Sequence, residues 1–180
     1  VRRQRQMCIR DSRQGDDPHG ADENGLLLSC DWEVLADGRP ITIYSTPVTR
    51  GGPHSFGRVA FNGNEKTVML RSANRSIEDI TVAPQSAGAK ISREGEWIIL
   101  SIQKECHVTI TVNGGIDRPL TLSFLRDIPK PKENCRIIKA GLYDFDFYDF
   151  SDNEILYLED GAVLRALPHD PTEKPVREKD

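Results

Sequence analysis

From Leu26 onward the chain reads as short apolar runs cut by turn residues. The clearest run is His107–Val112. Val108, Ile110 and Val112 fall on one side and Thr109 and Thr111 on the other, the period of two expected of a strand with one buried face. Lys66–Arg71 alternates in the same way around Val68 and Leu70. Comparable runs are Leu27–Leu35, Ile41–Tyr44, Arg58–Phe61, Ile77–Val82, Ala89–Ser92, Glu96–Ile102 and Pro119–Phe124. Their ends carry Ala36-Asp37-Gly38, Asn62-Gly63-Asn64, Pro84, Glu94-Gly95 and Asn113-Gly114-Gly115, residues that tolerate the backbone angles of tight turns. Thr46–Gly57, with Arg50 and Gly51-Gly52-Pro53, reads as a long connecting loop. No segment sustains a helical period. Eight or nine strands within about 100 residues predict an all-β fold, an antiparallel β-sandwich over residues 26–125.

The pattern changes at Arg126–Glu133, where Ile128-Pro129-Lys130-Pro131-Lys132 predicts a stiff, charged linker over 126–134. Beyond it the runs shorten to Ile137–Ile138, Leu142–Tyr143, Phe145–Phe147, Ile155–Leu158 and Ala162–Leu164. Strands this short, separated by Gly141, Ser151-Asp152-Asn153 and Asp160-Gly161, predict a coil of a β-solenoid over 135–166. One coil cannot bury its own apolar face, so several must stack. Residues 167–180 read as a loop or tail and residues 1–25 as a disordered leader. The first thirteen, VRRQRQMCIRDSR, resemble translated sequencing adapter and are set aside from functional reasoning.

Composition adds exclusions. Of 180 residues, 37% are hydrophobic and 29% charged, and the polar ends dilute an otherwise ordinary core. No apolar run approaches the roughly 20 residues of a membrane-spanning helix, which argues against a membrane protein. A net charge of -4 argues against nucleic acid as a partner. The cysteines Cys8, Cys30, Cys106 and Cys135 form no C-x-x-C pair and have no histidine at ligand spacing, so no zinc or other metal cofactor is expected. They read as buried thiols, with a Cys30–Cys106 disulfide as the alternative if their strands are neighbours.

The most chemically suggestive stretch is Tyr143–Asp152, where Asp144, Asp146, Asp149 and Asp152 are interleaved with aromatics. Oxygen ligands in this density suit calcium, and aromatics beside carboxylates suit sugar. The spacing D-x-D-x-x-D nevertheless lacks the terminal Glu of a calcium-binding helix–loop–helix. Alternation puts Phe145 and Phe147 on one face and Asp144 and Asp146 on the other, which reads as core phenylalanines and solvated acids. Trp32 and Trp97 sit within strands and read first as core, with stacking on sugar as the second role. The residues retained as carbohydrate contacts are Trp97, Tyr143, Asp144 and Asp146. Asn74-Arg75-Ser76 is a glycosylation sequon, and His19, His54, His107 and His169 are scattered.

Several segments together carry a resemblance. Ile137–Ala166 contains Gly141 and Tyr143, the Asp152-Asn153 turn, Leu156-Tyr157-Leu158-Glu159 and Gly161-Ala162-Val163-Leu164. Upstream stand Ile80–Gly88, Gly95–Ile102, Val108–Gly114 and Pro119–Phe124. In this order, over about residues 30–166, the chain resembles the ancillary sandwich and opening β-helix of polygalacturonase-like glycoside hydrolases. It departs from their pattern at Ala83, where the family usually has Arg, and at Leu122-Ser123-Phe124-Leu125. The resemblance implies a sandwich followed by the first coil of a right-handed parallel β-helix. The implied setting is a bacterial, secreted or periplasmic one, although homologues without export signals exist. It further implies inverting hydrolysis of a pectin-type polysaccharide, with two carboxylates roughly 6.5–9.5 Å apart to admit a water.

The family's catalytic signatures lie on later coils. Here Gly15-Asp16-Asp17 falls in the polar leader, Pro18-His19-Gly20 lacks the first glycine, and Arg136-Ile137-Ile138-Lys139 is one residue too long. No residue is therefore carried over as catalytic, and no cofactor is implied. The expectation is a truncated N-terminal region of such a hydrolase, meeting polysaccharide through a catalytic domain beyond this chain, with the sandwich packed on the β-helix. The alternative is a stand-alone sandwich that binds carbohydrate or protein.

Overall fold

Alternation decides the architecture. The computed structural model describes residues 20–23, 25–48, 52–132, 134–145 and 151–166, and among them there is no α-helix. The period-two segments become β1 (Trp32–Ala36), β2 (Arg39–Pro40), β3 (Tyr44–Thr46), β4 (His54–Ala60), β5 (Lys66–Ser72), β6 (Ile80–Ala83), β7 (Lys90–Glu94), β8 (Trp97–Ile102), β9 (Cys106–Val112) and β10 (Leu120–Leu125). They form two five-stranded sheets, one ordered β2-β1-β5-β8-β7 and the other β3-β4-β10-β9-β6. The fold is all-β, and these two sheets are antiparallel with one exception. The strand count predicts a wholly antiparallel sandwich, but β4 and β10 run parallel, from Ser55 opposite Leu120 to Ala60 opposite Leu125. Parallel neighbours need a long crossover, and here β5 to β9 all lie between the two strands in the chain.

Several boundaries also move, and the Ile41–Tyr44 run gives a strand only over Tyr44–Thr46, with Arg39–Pro40 pairing ahead of it. Within Leu27–Leu35 the ladder begins only at Trp32, while Leu27 and Leu28 make isolated bridges to Ala21 and Tyr44. The expected loop Thr46–Gly57 gives its last four residues to β4. Gly57 hides that strand in the sequence. A Cβ there would lie 2.6 Å from Ile43 Cδ1 and 3.3 Å from the Thr42 carbonyl, so the glycine is needed for packing rather than for a turn. Ile77–Val82 likewise shifts, and its strand runs from Ile80 to Ala83.

The inward faces of the two sheets share one core. Trp32, Val34, Val68, Leu70, Ile98, Leu100 and Ile102 come from one sheet. Val59, Val108, Ile110, Val112, Leu120, Leu122 and Phe124 come from the other. None of these is more than 3% exposed. Burial on this scale contributes about 1.5–3 kcal/mol per large side chain. The expected inward positions of β5 and β9 are all in this set.

A buried carboxylate closes one end. Asp31 accepts from Arg118 Nη1 at 3.1 and 3.3 Å and from Asn74 Nδ2 at 3.1 Å, and only 4% of its side chain is exposed. The Arg118 carbonyl accepts from Trp32 Nε1 at 3.2 Å and from Arg75 Nη2 at 3.0 Å. The start of β1 in one sheet is thereby tied to the loop before β10 in the other. Cys106 and Cys135 are free thiols, and Cys30 is not bonded to Cys106.

The described residues from 128 onward belong, with Glu23, Gly25 and Leu26, to a second compact unit. It contains β11 (Cys135–Ile138), β12 (Gly141–Phe145), β13 (Ile155–Leu158) and β14 (Ala162–Ala166). β11 pairs with β13 and β12 with β14, both in parallel. Phe145 ends β12 instead of opening a separate strand, and Phe147 lies outside the described residues. Tyr157 donates its hydroxyl to the Ile128 carbonyl at 3.1 Å, and Asn134 donates to the Asn153 carbonyl at 2.7 Å, fastening the proline-rich segment to the ladders.

Replacing Phe124 by Ala is expected to lower the unfolding free energy by about 3–5 kcal/mol, read from denaturant melts. A second expectation concerns pH. Burial lowers the His54 pKa below its ordinary 6.5, and Nε2 lies 2.8 Å from Thr121 Oγ1. The unfolded chain thus takes up this proton first. The contribution is whole above about pH 6.5 and is lost as pH falls through the lower folded value. His54→Gln should flatten the fall in melting temperature over that window.

Candidate functional site

The outer face of the β2-β1-β5-β8-β7 sheet carries a cross-strand row of charge and aromatic surface. Glu33 stands opposite Arg71, and Trp97 opposite Glu94. Arg71 follows the Leu70–Ile98 pair, which brings it beside Trp97. Its guanidinium lies 4.7 Å from the Trp97 ring centroid. It donates to Glu33 Oε2 through Nε at 3.0 Å and Nη2 at 2.8 Å, and Nη1 is 3.6 Å from Glu96 Oε2. Exposed pairs of this kind contribute about 0.2–1 kcal/mol, and the ring contact about as much again.

Beside this row is a groove of about 560 Å³ lined by Glu33, Glu96, Arg71, Arg75, Arg93 and the Ser72–Ile77 segment. Each guanidinium already has partners. Arg75 donates to the Asp117 and Arg118 carbonyls and lies 5.9 Å from the Trp32 ring centroid. Arg93 donates to the Ile77 carbonyl. The Ser72 hydroxyl is buried without a hydrogen-bond partner. Chemically the groove suits hydrogen-bond acceptors and anions. It does not suit general acid catalysis. Glu33 and Glu96 share one guanidinium, whereas a glycosidase acid keeps its proton in surroundings that disfavour the carboxylate.

The residues singled out from the sequence fall in both units. Trp97 begins β8 in the first, half-buried, with one ring face covered by Arg71. Trp32 is a core residue. Tyr143 and Asp144 lie on β12 in the second unit, with Tyr143 40% exposed. Asp144 stands opposite Arg165 of β14 and accepts from its Nε at 2.5 Å and Nη2 at 2.7 Å. These hydrogen bonds, and then the positive charge itself, hold the Asp144 carboxyl below its usual range. The Gly-x-Tyr spacing acquires a reason here. A Cβ on Gly141 would lie 3.3–3.5 Å from the Tyr143 ring, and Gly141 has a φ of +146°. Asp146 and Asp149 lie outside the described residues. Among the described residues no group of three His, Cys, Asp or Glu could hold a metal.

On the outer face of the other sheet, His107 Nδ1 is 2.8 Å from Ser123 Oγ, a pairing the sequence reading missed. Only the antiparallel register of β9 and β10, which sets His107 opposite Ser123, reveals it. A serine–histidine contact needs an orienting acid and oxyanion donors to act as a nucleophile, and no carboxylate among the described residues bonds His107. Burial raises the Cys106 thiol's pKa, against the smaller opposing effect of Lys104, so this cysteine is a packing group rather than a nucleophile. No protein-family model and no curated protein matches the chain, so its reading rests on residues and topology.

Removing the Arg71 guanidinium should expose the Trp97 ring. Arg71→Ala is expected to red-shift tryptophan emission and raise quenching by acrylamide, with about 0.5–1.5 kcal/mol lost in stability. Unchanged quenching would mean that the ring contact is absent in solution.

Proposed function

We propose that this chain is the N-terminal part of a polygalacturonase-like glycoside hydrolase. The sandwich is its ancillary domain, and residues 135–166 open a right-handed parallel β-helix. One observation supports this above the others. β11 to β14 pair first with third and second with fourth, in parallel, so that Cys135 meets Ile155, 20 residues on, and Gly141 meets Ala162, 21 residues on. A chain that returns alongside itself in parallel at one nearly constant interval is winding into a solenoid. Crossovers between parallel strands are right-handed in nearly all proteins, which supports the hand. Ile155 and Leu158 on β13 are 45% and 43% exposed, apolar surface of the kind that a following coil covers.

In this reading the parent enzyme hydrolyses glycosidic bonds of a pectin-type polysaccharide with inversion. One carboxylic acid on a later coil protonates the leaving oxygen, and further carboxylates there direct water to the opposite face of the sugar. The present chain contributes no catalytic group. Its sandwich caps the start of the β-helix, shielding sheet edges that would otherwise pair with other chains.

Two measurements test this. The reading frame downstream of Asp180 is expected to continue through further short coils bearing paired aspartates and Gly-His-Gly. The chain alone is expected to release no reducing sugar from polygalacturonate, whereas the extended protein should. A stop codon directly after Asp180, together with glycan binding abolished by Trp97→Ala in a folded protein, would replace this reading with a stand-alone carbohydrate-binding sandwich.

A further inference from the structure

The chain has three Asn-Gly dipeptides, at Asn24, Asn62 and Asn113. Asn24 lies outside the described residues. The other two share the same intrinsic chemistry but are held very differently. Asn113 follows β9 in a turn closed by the Gly115 N–H and the Val112 carbonyl at 3.1 Å, with φ of +56° and then +65° at Asn113 and Gly114. These are the angles of a type I′ turn. Its side-chain oxygen accepts from the backbone N–H groups of Glu78 at 2.8 Å and Asp79 at 3.2 Å, and its Nδ2 donates to the Ser76 carbonyl at 2.9 Å. The amide is pinned at both ends.

Asn62 stands in the connection that carries the chain from β4 in one sheet to β5 in the other. It is exposed, as are Gly63 and Asn64. Among the described residues neither its side chain nor the Gly63 N–H makes a hydrogen bond. A Cβ on Gly63 would meet nothing within 4 Å, so the backbone there is open on that side.

We infer that Asn62-Gly63 is a site of spontaneous deamidation, and that Asn113-Gly114 is protected from it by the fold. The Gly63 backbone nitrogen attacks the Asn62 side-chain carbonyl carbon and closes a five-membered succinimide. The bond from that carbon to its NH₂ breaks, the Gly63 amide proton passes to solvent, and ammonia leaves. Water then adds to either ring carbonyl, which restores the Gly63 N–H and leaves aspartate or isoaspartate. The net change consumes one water, releases one ammonium and adds one negative charge to a chain of net charge -4. At Asn113 the same attack requires the side chain to swing free of its three bonds. Hydrogen bonds of ordinary net strength make that protection worth about 100-fold in rate.

The test is to age the folded full chain in mildly alkaline buffer and follow both sites by peptide mass spectrometry. Asn62 is expected to convert about 100-fold faster than Asn113. In denaturant the two rates should converge, because the dipeptide is the same and the fold is gone. Isoelectric focusing should show acidic species that accumulate with time, and more slowly in Asn62→Gln. Comparable rates at the two sites in the folded chain, or faster loss at Asn113, would overturn the inference. So would a difference that persists in denaturant, since it would then belong to local sequence.

Discussion

Neither five-stranded sheet can bury its apolar face except against the other, and the rest of the first unit follows from that constraint. β10 shows why. Leu120, Leu122 and Phe124 are fully buried while Thr121, Ser123 and Leu125 stand between them facing outward. A slip of one residue along β4 or β9 would turn a neighbour's buried set to solvent, so register is held by the core as much as by the ladder. The parallel β4–β10 pair is tolerable for the same reason. What it loses in ladder geometry is small beside the burial of Val59 and Leu122.

The polar chemistry is what this arrangement leaves over. Outward positions of β1, β5 and β8 carry Glu33, Arg71 and Trp97, and those of β4, β9 and β10 carry His54, His107, Thr109, Thr121 and Ser123. On both faces these groups are engaged with each other, as ion pair, ring contact or hydroxyl chain. Asp31 is the exception in depth. Its carboxylate is buried and bonded to Arg118 and Asn74, so it acts as a clamp between sheets and not as a reactive acid.

The second unit works by a different logic. A sandwich closes on itself with two layers, whereas the described strands of the second unit form two separate two-stranded parallel ladders. Its stabilising contacts are accordingly local and repeated: Asp144 against Arg165 across one rung, Tyr143 over Gly141, and Asn134 against Asn153 at the turn. Of these, Gly141, Tyr143 and Asn153 are among the positions that carry the resemblance to the opening of a β-helix. The Gly-x-Tyr pair thus has a packing role independent of any sugar.

Much of this could be read from the chain alone. The alternation of Val108, Ile110 and Val112, or of Val68 and Leu70, determined which residues would be inside, because a period of two leaves an apolar face no other stable place. The all-β class and the change of character after Arg126 followed from the same pattern and from proline. Only the tertiary structure decided which strands are neighbours. Strand pairing joins residues far apart in sequence, and nothing local distinguishes a parallel partner from an antiparallel one. Hence the β4–β10 pair, the Arg71 guanidinium on Trp97, the His107–Ser123 contact and the Asp31–Arg118 clamp were invisible beforehand. The Asn-Gly dipeptides show the same division. Their chemistry is written in the sequence, but the fold decides how tightly each amide is held.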